Sequence, residues 1–157
     1  MAEATTTVTP HLCCRNAVEA VDFYSKAFGA EVQHVMKGPD GKLMHASLSI
    51  RGAAIMLCDE FLEHGATSPL ALNGSAVVLH LHVPDCDAVF QRAVDAGCEV
   101  RMPLQDMFWG DRYGVLRDPY GHKWSVSTTV RQVSPEEMQD ALKAFGAANP
   151  ECPSAKD

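Results

Sequence analysis

Thr9-Pro-His-Leu-Cys-Cys-Arg-Asn16 and Val78-Leu-His-Leu-His-Val-Pro-Asp85 are two versions of one passage. A shift of 69 positions carries His11 onto His80 and Asn16 onto Asp85. Each passage is a strand-like stretch that ends on a residue able to cap a helix, because Asn and Asp side chains accept the free N–H groups of a first turn. A helical pattern follows in both cases. The first is Ala17-Val-Glu-Ala-Val-Asp-Phe-Tyr-Ser-Lys-Ala-Phe28, stopped by Gly29, and the second runs over residues 86–96, stopped by Gly97. Val18, Val21, Tyr24 and Phe28 recur at three- and four-residue steps, as do Val89, Phe90, Ala93 and Val94, so each helix has one face to bury.

The repeat continues beyond the helices. Residues 30–32 and 98–100 each start another strand, and the same shift places Gly52 on Gly121 and Met56 on Ser125. Residues 53–57 and 122–126 are then the last strands of two equivalent halves. Pro39-Asp40-Gly41 is a hairpin turn inside the first half. The predicted fold is α+β: two β-α-β-β-β modules whose curled mixed sheets surround a cavity. The organisation that follows is a flexible N-terminus over 1–6, a first module over 7–60, a linker over 61–76, and a second module over 77–130. A C-terminal helix over 131–146 and a disordered tail over 147–157 complete it. That last helix opens on Ser134-Pro135-Glu136-Glu137, a capping box with proline at its first position, and docks through Met138, Leu142 and Phe145.

Composition narrows the function. A formal net charge of −7 argues against a nucleic-acid partner, whose phosphates demand Lys and Arg. No apolar run approaches a membrane span, and residues 1–7 carry no apolar signal segment, so a cytoplasmic protein with reduced thiols is expected. None of the six cysteines forms a C-x-x-C pair. There is no glycine-rich phosphate loop and no dinucleotide fingerprint.

Alternation along the strands selects the cavity-facing set. Val77, Leu79, Leu81 and Val83 form an apolar row under the helices, as do Leu12 and Cys14. The opposite face carries Thr9, His11, Cys13, Met56, Val78, His80, His82 and Ser125. The histidines admit two readings. One is metal ligation or general base chemistry, with His45 as a candidate third ligand. The other is polar lining, bonded to a ligand, to water or to one another. Phe108, Trp109, Arg112 and Tyr113 form a loop that either closes the cavity mouth or packs at a subunit seam. In the second case Arg112 pairs with Asp111 or Asp106. Asp118 and Gly121 read as turn chemistry.

The helix containing Phe23-Tyr24 resembles the "D…FY…LG" helix of the vicinal-oxygen-chelate superfamily, and Asp118-Pro-Tyr-Gly-His122 resembles its D-P-x-G turn. The string from Asp106 to Ser125 is similar to the PhnB-like, glyoxalase/bleomycin-resistance branch, and the likeness spans roughly residues 7–130. The resemblance implies paired modules and a homodimer. It also implies a function drawn from isomerases, lyases, dioxygenases, epimerases and drug binders. The metal positions of the superfamily fall here on Thr9, Met56, Val78 and Ser125, none of them a histidine or carboxylate. The expected function is therefore a homodimeric binder that sequesters a small molecule, with no cofactor. Its ligand-binding residues are His11, Met56, His80, His82, Trp109, Arg112, Tyr113 and Ser125. One alternative is a glyoxalase-type lyase, isomerase or dioxygenase with a divalent metal displaced onto His11 and His80. Another is a structural or regulatory dimer without a ligand.

Overall fold

The computed structural model describes residues 5–149. The first module comprises β1 (His11–Cys14), α1 (Ala17–Phe28), β2 (Glu31–Lys37), β3 (Leu43–Ile50) and β4 (Ala53–Asp59). A 3-10 turn (Leu62–His64) and the short helix α2 (Pro69–Leu72) bridge to the second module. That module comprises β5 (Val78–His82), α3 (Cys86–Ala96), β6 (Glu99–Asp106), β7 (Asp111–Arg117) and β8 (Lys123–Thr129), and is followed by α4 (Pro135–Ala148). The two mixed sheets run β1-β4-β3-β2 and β5-β8-β7-β6, the same order twice. Register repeats as well: His11 lies opposite Met56 in the parallel β1·β4 pair, and His80 opposite Ser125 in β5·β8. The expected helices match α1 and α3 residue for residue.

Both helices pack against one another and against one face of each sheet, in a single apolar core. Tyr24 and Phe28 of α1 reach Trp124 of β8, the Phe28 and Trp124 ring centroids standing 4.4 Å apart. Burial alternates along β3, where Ala46, Leu48 and Ile50 are buried beneath the helices and His45, Ser47 and Ser49 are only half covered. The opposite face of each sheet is left uncovered within the chain: His11, His80 and His82 are exposed.

The helix starts depart from the expectation in one place. Asp85 caps α3 by accepting from Ala88 N at 3.0 Å. Asn16 makes no side-chain cap and sits in the left-handed region at φ 67°. Its place is taken across the sheet by Asp59, whose carboxylate accepts from Ala17 N at 2.9 Å and from Leu43 N at 2.7 Å. The 69-residue shift carries this bond onto Thr128, whose hydroxyl accepts from Cys86 N at 2.8 Å.

Two smaller expectations are also corrected. Val77 is 64% exposed, because β5 begins only at Val78 and the residue stands clear of the helices. Helix α4 has the expected capping box on Ser134 but runs through Gly146 to Ala148, since an exposed glycine in a helix costs only about 1 kcal/mol. The helix touches its own chain where Phe145 meets Phe108, centroids 5.8 Å apart. Residues 1–4 and 150–157, most of the segments expected to be flexible, lie outside the described residues.

Candidate functional site

The uncovered face of the second sheet is a polar ladder flanked by aromatics. Ser125 and Ser127 on β8 are buried at 2% and 0% exposure, so their hydroxyls require partners. In-register residues of neighbouring strands point to the same side, and β5 supplies those partners. His80 Nδ1 lies 2.7 Å from Ser125 Oγ, His82 Nδ1 lies 3.1 Å from Ser127 Oγ, and His80 Nε2 lies 3.3 Å from Ser127 Oγ. Serine hydroxyls both donate and accept, so either neutral tautomer of His80 is satisfied. Both nitrogens of that ring are thereby committed to the protein.

Tyr113 on β7 stacks on His80 at 6.1 Å with an interplanar angle of 22°. Trp109 meets Tyr113 edge-on at 5.8 Å, and Phe108 meets Trp109 edge-on at 5.1 Å. The result is a run of rings from the strand centre to the loop before β7. Val78 and the ladder above it complete this surface, and among the described residues no carboxylate enters its hydrogen bonds.

Arg112 is not brought to this face. It precedes Tyr113 on the strand and so points to the helix side, where Nε and Nη2 donate to Asp87 at 2.8 Å and Nη1 donates to Asp106 at 3.2 Å. The bond from Arg112 holds the Asp87 carboxyl below its ordinary range. Of the two sequence-derived partners, Asp106 is found and Asp111 is not. Asp87 was missed, since only the strand-to-helix packing puts the first turn of α3 beside β7.

The equivalent face of the first sheet carries His11, Cys13, Met56 and Cys58, with Thr9 half-buried just before β1. His45 does join His11, ring centroids 5.7 Å apart, and His34 follows at 6.3 Å from His45. Among the described residues, the ring contacts of His11 and His80 stay within their own sheets. Alternation does not single out His34, because β2 is irregular in register between Val32 and His34.

A concavity of about 760 Å³ lies apart from the ladder, between the turn at Asp40 and Lys42 and the loop at residues 60–66, and Cys58 lines it. Glu60 beside it accepts from Ser68 Oγ at 2.5 Å and from Arg15 Nε at 3.1 Å, which occupies it structurally. A second cleft of about 500 Å³ joins His11 and Cys13 to Leu79 and His122. His122 Nε2 lies 3.0 Å from the Cys13 carbonyl oxygen, linking the second module to the edge of β1.

The Glyoxalase/Bleomycin resistance protein/Dioxygenase superfamily matches residues 6–126. The chain belongs to this superfamily. An uncharacterized protein of Mycobacterium bovis is 46% identical over 142 residues, covering 88% of this chain and 93% of the relative. A PhnB protein structure from Bacillus cereus superposes with a TM-score of 0.63 at 23% identity, over 78% of this chain and 99% of the other. The fosfomycin resistance protein FosX of Listeria monocytogenes, in complex with Mn(II) and sulfate ion, superposes with a TM-score of 0.59 at 15% identity. It covers 90% of this chain and 98% of its own. These two structures speak for the fold.

A hard divalent cation does not fit the set of residues at the superfamily's metal positions in this chain, Thr9, Met56, Val78 and Ser125. Val78 has no donor atom, Ser125 Oγ is bonded to His80, and the Met56 thioether is a soft ligand unsuited to a hard cation.

Proposed function

We propose that this member of the superfamily is a homodimer that binds a small, planar molecule on the His80–Tyr113 face, each open face being roofed by the partner subunit. The observation that carries the reading is the ladder itself: mutually hydrogen-bonded His and Ser side chains lie beside a run of aromatic rings. Such a surface supplies stacking area and a few orienting hydrogen bonds. It offers no group matched to the tasks of a general base and acid pair, because the histidines bond to serines and Arg112 is paired behind the strand. Sequestration of a drug or metabolite, and not turnover, is the function this surface supports. His11 and Met56, on the equivalent face of the first sheet, complete the proposed lining once two chains associate.

Tryptophan emission tests it. Trp124 is 2% exposed in the core, whereas Trp109 stands at the mouth of the face. A panel of planar heteroaromatic ligands is expected to quench Trp109 saturably with the Trp124→Phe variant as reporter. Binding should weaken at least about tenfold in Tyr113→Ala, which removes an aromatic contact worth about 1.5 kcal/mol. Light scattering should give twice the 17.0 kDa chain mass. A monomer that binds none of the panel sinks the proposal.

A further inference from the structure

One rung along the strands from His11 and Met56, two thiols stand side by side. Cys13 and Cys58 are register partners in the parallel β1·β4 pair, and both are half-buried on the face turned away from α1. The remaining described cysteines are core residues: Cys14, Cys86 and Cys98 are 0%, 1% and 6% exposed. Register partners share a side, so an imidazole, a thioether and two thiols form a patch two rungs deep. It measures about 4.8 Å across and about 6.6 Å along the strands.

Burial pushes the Cys13 thiol up to about 12, and its neighbour Cys58 pushes it the same way. Burial raises Cys58 too. Thiols held in the protonated form are poor nucleophiles, which argues against covalent catalysis here. A soft cation behaves differently, because it replaces the proton on sulfur.

We propose that Cys13 and Cys58 form a two-coordinate site for one soft, closed-shell cation of the copper(I) class. The ligand type selects the ion, since thiolates with a thioether nearby favour copper(I) over harder metals. The spacing admits the geometry. Two metal–sulfur bonds of about 2.3 Å each span about 4.6 Å, a gap that side chains on register-paired strands about 4.8 Å apart can bridge. Zinc asks for four ligands, and no group of three or more His, Cys, Asp or Glu is gathered to hold a metal among the described residues. On binding, two S–H bonds break, two S–Cu bonds form and two protons pass to solvent. No electron is transferred, so no oxidant is needed. Solvent reaches the pair from both clefts: Cys58 lines the larger and Cys13 the smaller.

The site lies on the first sheet, one rung from His11 and Met56 of the proposed lining, but binding of copper(I) by the two thiols does not require the small-molecule reading to hold. The test uses the full chain with Cys152→Ser, reduced and anaerobic, titrated with copper(I) against a chromophoric chelator. One copper(I) per chain is expected. Cys13→Ser and Cys58→Ser should each weaken it by more than about 100-fold, beyond what loss of an outer-shell contact does. Cys98→Ser should leave it unchanged. Two released protons predict an affinity that rises about 100-fold per pH unit near neutrality. A measurement without thiol variants guards against misfolding: one equivalent of copper(I) should release two protons per chain, read with a pH indicator in weakly buffered solution. Undiminished uptake by the double variant overturns the proposal, as does release of fewer than two protons, or an air-formed Cys13–Cys58 disulfide in place of copper binding.

Discussion

The hydroxyl of Tyr24 donates to the carboxylate of Asp118 at 2.7 Å, joining the helix of the first module to the β7–β8 turn of the second. The same carboxylate accepts from Trp124 Nε1 and from the backbone N–H groups of Tyr120 and His122, each at 2.9 Å. Asp118 is 4% exposed, so its charge is held by four donors instead of water. Tyr24→Phe removes one donor to a charged acceptor and should cost about 1.5–3 kcal/mol. Asp118→Ala should cost more, about 3 kcal/mol or above, because it strands two buried side-chain donors. Urea unfolding checks both. A Tyr24→Phe change within 0.5 kcal/mol, the scatter of ordinary surface substitutions, would show that the bond does not clamp the modules.

The core thiols set the alkaline limit of stability. Burial, and then the negative Asp118, push Cys98 from 9.0 up to about 12. Above pH 9 the unfolded chain releases this proton while the folded chain keeps it. The unfolded state therefore binds fewer protons, and stability falls as pH rises from about 9 towards 12. Below pH 9 the group contributes no slope. Cys98→Ala should flatten the alkaline limb by up to about 1.4 kcal/mol per pH unit. Unchanged slopes in chemical denaturation at pH 9 and 10 would refute the assignment.

How far the sequence can be read is seen in two aspartates. Asp118 is legible as turn chemistry, because Asp-Pro-x-Gly has a local mechanism, and its backbone bonds to Tyr120 and His122 are of the kind that mechanism requires. Its bonds to Tyr24 and Trp124 were not readable, since they depend on how two modules dock. Asp59 gave no signal, because a carboxylate ending one strand and capping a helix 42 residues earlier leaves no periodic trace. The faces of the strands were legible from alternation, which put His80, His82 and Ser125 together. Arg112 shows the limit: a loop reading placed it with its aromatic neighbours, whereas strand parity turns it to the helix side beside Asp87.

Asp59 and Thr128 perform the same task in the two modules with different chemistry, which predicts unequal losses. Asp59→Ala removes a charged acceptor from two backbone N–H groups, those of Ala17 and Leu43. Thr128→Val removes a neutral hydroxyl that accepts from Cys86 N and donates to the Val83 carbonyl at 2.8 Å. Charge-assisted bonds are worth about twice neutral ones, so Asp59→Ala should cost about 3 kcal/mol or more and Thr128→Val about 1–2 kcal/mol. Equal losses in urea titrations would mean that the two caps are energetically interchangeable.

Two glycines should respond to alanine with opposite signs. A Cβ on Gly114 would stand 2.7 Å from Phe90 Cε2 and 3.1 Å from Leu104 Cδ2, between β7 and helix α3. Such overpacking costs about 1–3 kcal/mol. In a packed core the expected relief is an outward shift of β7, and Tyr113, the preceding residue, moves with it away from His80. Gly114→Ala should therefore lower stability and also alter Trp109 emission, since Trp109 rests on Tyr113. A Cβ on Gly74 meets nothing within 4 Å. Gly74→Ala should raise stability by about 0.4–1 kcal/mol by restricting the unfolded chain, with no change in emission. Thermal unfolding and tryptophan spectra of both variants separate the effects. If Gly114→Ala shifts stability without altering emission, the strand has not moved, and Phe90 has turned aside to admit the methyl group.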